Sequence, residues 1–148
     1  MKTMMKALAL ALTLAAAAVA TSACGGDDTA APTATTATGP ATALFEGQLT
    51  IGGSAFYSFT TAADGLANVM LASVTTTTSP GTSSPVVLGL ALGTPTGTDC
   101  AITSSLPTAA GLTSQMVNSL TAGTYCARVY DIGNLKAPVN FAIRITHL

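Results

Sequence analysis

Few side chains in this 148-residue sequence are of a type that carries chemistry, and their spacing decides which chemistry is open to them. The only imidazole is His147, beside the last residue, and no GxSxG elbow occurs, so a serine nucleophile with a base in reach is not indicated. Paired-carboxylate hydrolysis would have to draw on Glu46, Asp64, Asp99 and Asp131. The three aspartates stand in turn contexts, where Asp serves local hydrogen bonding more often than acid–base work. Asp27 and Asp28 are adjacent but lie in a segment without large apolar residues, which gives them no fixed geometry. Asp131-Ile132-Gly133-Asn134 could offer oxygen ligands to calcium, yet it lacks the repeated acidic positions of a strong site. Gly89, Gly93 and Gly97 fit neither a dinucleotide fingerprint nor a phosphate loop, and no Lys follows them. Met70 and Met116 are isolated, which removes a copper-handling cluster. No catalytic residue, metal ligand or cofactor is assigned.

The three cysteines are more informative. Lys2 and Lys6 precede the apolar run Ala7 to Ala20, which ends in Thr21-Ser22-Ala23-Cys24-Gly25-Gly26. A basic start, an apolar segment shorter than the ~20 residues of a membrane span, and small residues before a cysteine make an export signal. The signal resembles that of bacterial lipoproteins, which implies cleavage after Ala23 and a thioether from Cys24 to diacylglycerol. Acyl chains such as palmitate would then hold the mature protein to a membrane at ~0.8 kcal/mol per buried methylene. Thr21 stands where such signals more often have Leu, and ordinary cleavage without lipid is the alternative. Gly25 rather than Asp after the cysteine favours the outer membrane of the cell envelope. Cys100 and Cys126 are left as a pair in a chain exported to an oxidising compartment, and a disulfide between them is expected. They do not form a CxxC motif, and no histidine cluster accompanies them as a metal site would need.

The elements that carry these residues follow from composition. Residues 1–23 read as the signal, 24–43 as a flexible Thr/Ala/Pro linker and 44–148 as the folded domain. Once the signal is removed, Arg128, Lys136 and Arg144 face six acidic residues, a net charge of −3 that argues against nucleic acid as partner. The linker has no apolar periodicity; as a random coil its ends lie about 25 Å apart, and stretched it reaches about 60 Å. From Leu44 onward, short runs rich in β-branched and aromatic residues are punctuated by Gly, Pro, Asp and Asn, the pattern of an all-β antiparallel sandwich.

Phe45 to Ile51 and Ala55 to Phe59, joined by Gly52-Gly53, are expected to pair as a hairpin. Leu66 to Val74 is apolar on both faces and should be a central strand. Val86, Leu88, Leu90 and Leu92 should face the core, Thr98 to Ser104 should be a short strand carrying Cys100, and Ser105 to Leu120 is irregular. Thr124 to Tyr130 and Val139 to Ile145 alternate clearly and are expected to form a terminal hairpin. Tyr57, Phe59, Tyr125 and Phe141 fall on faces expected to be buried. Phe56 and Tyr130 remain as the aromatic side chains available for a sugar, although packing on the sandwich surface is their plainer role.

Gly53-Ser54-Ala55-Phe56-Tyr57-Ser58-Phe59, Leu88 to Gly93 and above all Leu120-Thr121-Ala122-Gly123-Thr124-Tyr125-Cys126-Ala127-Arg128-Val129-Tyr130-Asp131 resemble the bacterial pre-peptidase C-terminal domains. The likeness covers Leu44 to Leu148 and implies a single jelly-roll-like β-sandwich that is non-catalytic, with an accessory or binding role. The family usually has Asp before its Tyr-x-Phe, where this chain has Ala55, and this counts against carrying over the calcium ligands of some related domains. The sequence thus leads to a lipid-anchored, non-enzymatic module of the bacterial cell envelope. Its partners would be a membrane, through the anchor, and an envelope protein or polysaccharide. The alternative is a carbohydrate or cell-wall binding protein.

Overall fold

Alternation of apolar and polar residues turns nearly every segment after residue 40 into a strand with one face for a core. The computed structural model describes residues 39–79 and 81–148; the segment expected to be an export signal, Cys24 and most of the expected linker lie outside the described residues. Eight strands follow in order: β1 (Ala41–Leu49), β2 (Ser54–Thr61), β3 (Gly65–Thr76), β4 (Leu88–Thr96), β5 (Asp99–Thr108), β6 (Met116–Leu120), β7 (Gly123–Tyr130) and β8 (Val139–His147). They form two four-stranded antiparallel sheets, ordered β1-β8-β3-β6 and β2-β7-β4-β5.

The pairings nest. β4 pairs with β5, β3 with β6, β2 with β7 and β1 with β8, as in one long antiparallel ribbon folded at the β4–β5 turn. Rolling that ribbon adds the β3–β8 and β4–β7 pairings and closes it into a jelly-roll sandwich. This corrects two expectations. Phe45 to Ile51 and Ala55 to Phe59 do not make a hairpin: β1 and β2 belong to opposite sheets, and the turn at Gly52-Gly53 crosses from one to the other. Likewise β7 and β8 sit in different sheets and do not pair. Inward faces are as expected on both pairs of strands; only the partners differ. In a two-layer fold a tight turn can lead to the neighbouring strand or to the opposite layer, and alternation along a strand reads the same either way.

The core fills the space between the layers. Leu49, Val69, Leu71, Val74, Ile143 and Ile145 from one sheet meet Leu88, Leu90, Leu92 and Val129 from the other, all of them at most 1% exposed. The central position expected for the third strand is observed, β3 lying between β8 and β6. Its period is interrupted: the register against β8 shifts between Leu71 and Ser73, a bulge that makes Ala72 the extra residue. The bulge returns Val74 to the core and turns Ser73 outward, opposite Ala142 of β8. Where β1 and β2 meet across the layers, the Phe45 and Tyr57 rings stack at 4.9 Å, and the Tyr57 hydroxyl donates to the Glu46 carbonyl at 3.0 Å. Partial burial pushes the Tyr57 phenol above its ordinary pKa.

β1 starts at Ala41, three residues inside the expected linker, because ladder pairing to β8 needs no large side chains: Thr42 faces Thr146 and Ala43 faces Ile145. The longest connections, β3–β4, β5–β6 and β7–β8, lie with the β1–β2 turn at the end of the roll opposite Ala41.

Cys100 and Cys126 are joined in a disulfide, as expected, with Cα atoms 5.9 Å apart. The link bypasses β4, which runs between β5 and β7 in the sheet. It can do so because pairing of β4 with β7 ends at Gly93, where a Cβ would collide with the Ala101 carbonyl. With its ends 26 positions apart in the sequence, the crosslink restricts the unfolded chain by roughly 3 to 3.5 kcal/mol in the loop-entropy description. Urea unfolding with and without reductant is expected to show a stability loss of about that size, on the order of 3 kcal/mol; unchanged midpoints would mean that the crosslink contributes nothing.

Candidate functional site

The acidic residues of the folded part are dispersed among turns and faces, and the aspartates act as hydrogen-bond acceptors there. Asp64, in the β2–β3 turn, accepts the Ala122 amide at 2.8 Å, tying it to the β6–β7 turn. Asp99 accepts its neighbour's amide, from Cys100, at 2.8 Å and pairs with Arg128 at 3.2 Å. Glu46 is exposed on the outer face of β1. His147 points the other way, into the space between the layers: it is 8% exposed, its ring lies 5.2 Å from that of Phe59, and Nδ1 is 3.2 Å from the Leu148 carbonyl oxygen. The acid groups and the imidazole are thus distributed over different turns and faces.

Asp131 does the most with its carboxylate. One oxygen accepts the Gly52 amide at 2.8 Å; the other accepts the amides of Gly133 at 2.8 Å, Asn134 at 3.1 Å and Leu135 at 3.2 Å. Its own amide donates to the Gly53 carbonyl at 3.0 Å. The residue therefore fastens the β1–β2 turn to the β7–β8 connection. The Gly52 amide above all, followed by those of Gly133, Leu135 and Asn134, holds the carboxyl below the ordinary Asp range against a weaker opposing effect of desolvation. The turn considered for calcium has its one carboxylate committed to amide hydrogens. Among the described residues no group of three or more His, Cys, Asp or Glu could hold a metal ion.

Phe56 and Tyr130, the aromatics set aside for a sugar, share the outer face of the β2–β7–β4 sheet. Ser54, Tyr130 and Gly89 stand in one cross-strand row, and Phe56, Arg128 and Ala91 in the next. Arg128 is held in place by Asp99 and by Ser54, to whose hydroxyl it donates at 3.0 Å. The Tyr130 ring covers Gly89 so closely that a Cβ there would collide with its ring carbons. An aromatic laid over a glycine shields the bare backbone, and this packing role is what the structure shows for Tyr130.

The opposite outer face, on the β1–β8–β3 sheet, holds a feature that the sequence did not disclose. Glu46, Ala142 and Ser73 form one cross-strand row and Gln48, Asn140 and Thr75 the next. The small Ala142, only 8% exposed, floors an open hollow of about 430 Å³ rimmed by Glu46, Ser73, Thr75 and Asn140. A second hollow of about 420 Å³ shares Ser73 in its lining and lies between Ser83 to Pro85 and Ala110 to Leu112. Its walls are set where the Ser84 amide reaches the Val74 carbonyl at 2.8 Å and the Gly111 amide reaches the Leu71 carbonyl at 3.0 Å. The one sequence signal for this arrangement was the three-residue spacing of Leu71 and Val74, which breaks the period of two.

No family model matches the chain, and no curated protein matches it.

The depressed Asp131 pKa fixes a sign for acid stability. The folded carboxyl loses its proton more readily than the unfolded one, so its stabilisation is present above the unfolded Asp pKa of about 3.9 and is lost as pH falls through the lower folded value. Asp131→Asn is expected to be less stable than the parent at neutral pH and to lose less stability on acidification. Urea midpoints measured between about pH 7 and about pH 2 check this; parallel curves for the two proteins would remove Asp131 from the account.

Proposed function

We propose that the protein is a lipid-anchored, exported β-sandwich module of the bacterial cell envelope, non-enzymatic and serving an accessory or binding role. The reading draws its address from the sequence: Lys2, Lys6, the apolar run and Cys24 at the first mature position. The structural observation that supports it is the direction of β1, which starts at Ala41 at one end of the roll while the longest loops gather at the other. The chain thus enters the sandwich at the end opposite those loops. The use of Asp64, Asp99 and Asp131 as backbone acceptors fits a scaffold better than a hydrolase. The jelly-roll order of the strands agrees with the architecture implied by the resemblance to pre-peptidase C-terminal domains.

A second reading, carbohydrate or cell-wall binding, is favoured by the open, hydroxyl-bearing hollows over Ala142 and Ser73, more than by the Phe56 and Tyr130 face.

Anchoring is tested by Cys24→Ala in the native host. Fractionation is expected to find the parent protein with membranes, released by detergent, and the variant in the soluble fraction. Equal membrane retention of both would refute the lipid anchor.

A further inference from the structure

The two hollows share Ser73, and taken end to end as a trough their linings run from Glu46 on β1, past β8 and β3, to Leu112 in the β5–β6 connection. We propose that this trough is a binding site for a linear, uncharged polysaccharide chain. The inference rests on the carbohydrate-binding reading and gives it a place and a ligand class.

The chemistry of the lining selects the class. Rim and walls offer the Ser73, Thr75, Ser83 and Ser84 hydroxyls and the Asn140 amide, groups that both donate and accept hydrogen bonds, as sugar hydroxyls do. The only ionisable side chain in the lining is Glu46, and no Lys or Arg lines either hollow; Arg144 stands one cross-strand row further along β8, outside the lining, so within the hollows a single carboxylate opposes an anionic ligand. A Glu carboxylate accepts hydrogen bonds from two adjacent hydroxyls through its two oxygens.

The geometry selects a chain over a small molecule. Strands lie about 4.8 Å apart, so a path over β1, β8, β3 and the flanking loops extends ~15 to 20 Å. The floor is rigid, because β8 is paired on both sides, to β1 and to β3. The same pairing disfavours an extended peptide, which binds sheets by adding to a free edge and using main-chain hydrogen bonds. Over β8 the main-chain groups are already taken by neighbouring strands, and only side chains remain to recognise a ligand. The Ala72 bulge carries the design: without the extra residue Ser73 would point to the core and the two hollows would not share it. Leu112, 96% exposed at the far end, supplies an apolar contact for a sugar ring's C–H face.

The test uses the full chain purified in detergent and titrated separately with maltohexaose, cellohexaose and chitohexaose, with polygalacturonate fragments and an uncharged decapeptide as contrasts, followed by amide chemical shifts. At least one of the three neutral oligosaccharides is expected to bind at millimolar concentration, shifting residues around Ser73, Asn140 and Ala142. Asn140→Ala and Ser73→Ala are each expected to weaken that binding about tenfold, the loss of one well-placed hydrogen bond of about 1.4 kcal/mol. Ala142→Trp, which fills the first hollow, should abolish it; the Asn140 and Ser73 variants decide the matter should the Trp variant not fold. Phe56→Ala should bind as the parent does. Four results would overturn the site: no shift with any neutral oligosaccharide; binding indifferent to Asn140 and Ser73; binding lost in Phe56→Ala, which assigns it to the other sheet; or preference for the peptide or the anionic fragments. None of these results depends on Cys24, so a failed site leaves the anchoring proposal standing, and a failed anchor leaves the site to be judged on its own.

Discussion

Everything in this fold depends on β8 reaching its place between β1 and β3, two strands from much earlier in the chain. Val139, Phe141, Ile143 and Ile145 make one continuous apolar face, and it can be removed from water only by inserting β8 between β1 and β3 and closing it against the facing layer. Complete burial of an Ile or Phe side chain stabilises by about 1.5 to 3 kcal/mol, and four together weigh heavily against the chain entropy of closing such long loops. The insertion also ties the first strand to the last and so fixes where the preceding segment leaves the sandwich. Every surface discussed above, the trough included, is built on strands positioned by that closure.

With so few charges, the protein relies on backbone amides to secure its turns. Asp64, Asp99 and Asp131 each accept main-chain hydrogens, and through Asp64 and Asp131 connections at both ends of the roll are fastened to their neighbours. The Asp131 carboxylate, which accepts four amide hydrogens, is favoured in its ionised form by them. All three contacts add rigidity to the turns. The disulfide serves the same end, binding the β4–β5 end of one sheet to β7 where the ladder between β4 and β7 has run out.

The strands and their inward faces were legible because alternation is a local signal: Leu88, Leu90 and Leu92, or Phe141, Ile143 and Ile145, mark a buried side without reference to any partner. Pairing was not legible. Gly52-Gly53 and Gly123 signal turns, but whether a turn stays in its sheet or crosses to the other layer is decided by how the whole ribbon rolls. β5 and β6 were blurred because they are edge strands with only one neighbour each and with Ser, Thr and Asn at many positions. The disulfide could be read from a count of cysteines and from the N-terminal pattern expected of an export signal. The trough could not: Glu46, Ser73 and Asn140 are far apart in the chain, and one bulged residue brings the third strand's hydroxyl into the row.

The rolled ribbon is tested most directly by cross-strand nuclear Overhauser contacts between backbone protons of the folded protein. The account predicts contacts joining residues 41–49 to 139–147, in the register that sets Phe45 opposite Ile143, and contacts joining residues 54–61 to 123–130. Ladders joining residues 45–51 to 55–59, or 124–130 to 139–145, would show two local hairpins in place of the roll and would contradict the account.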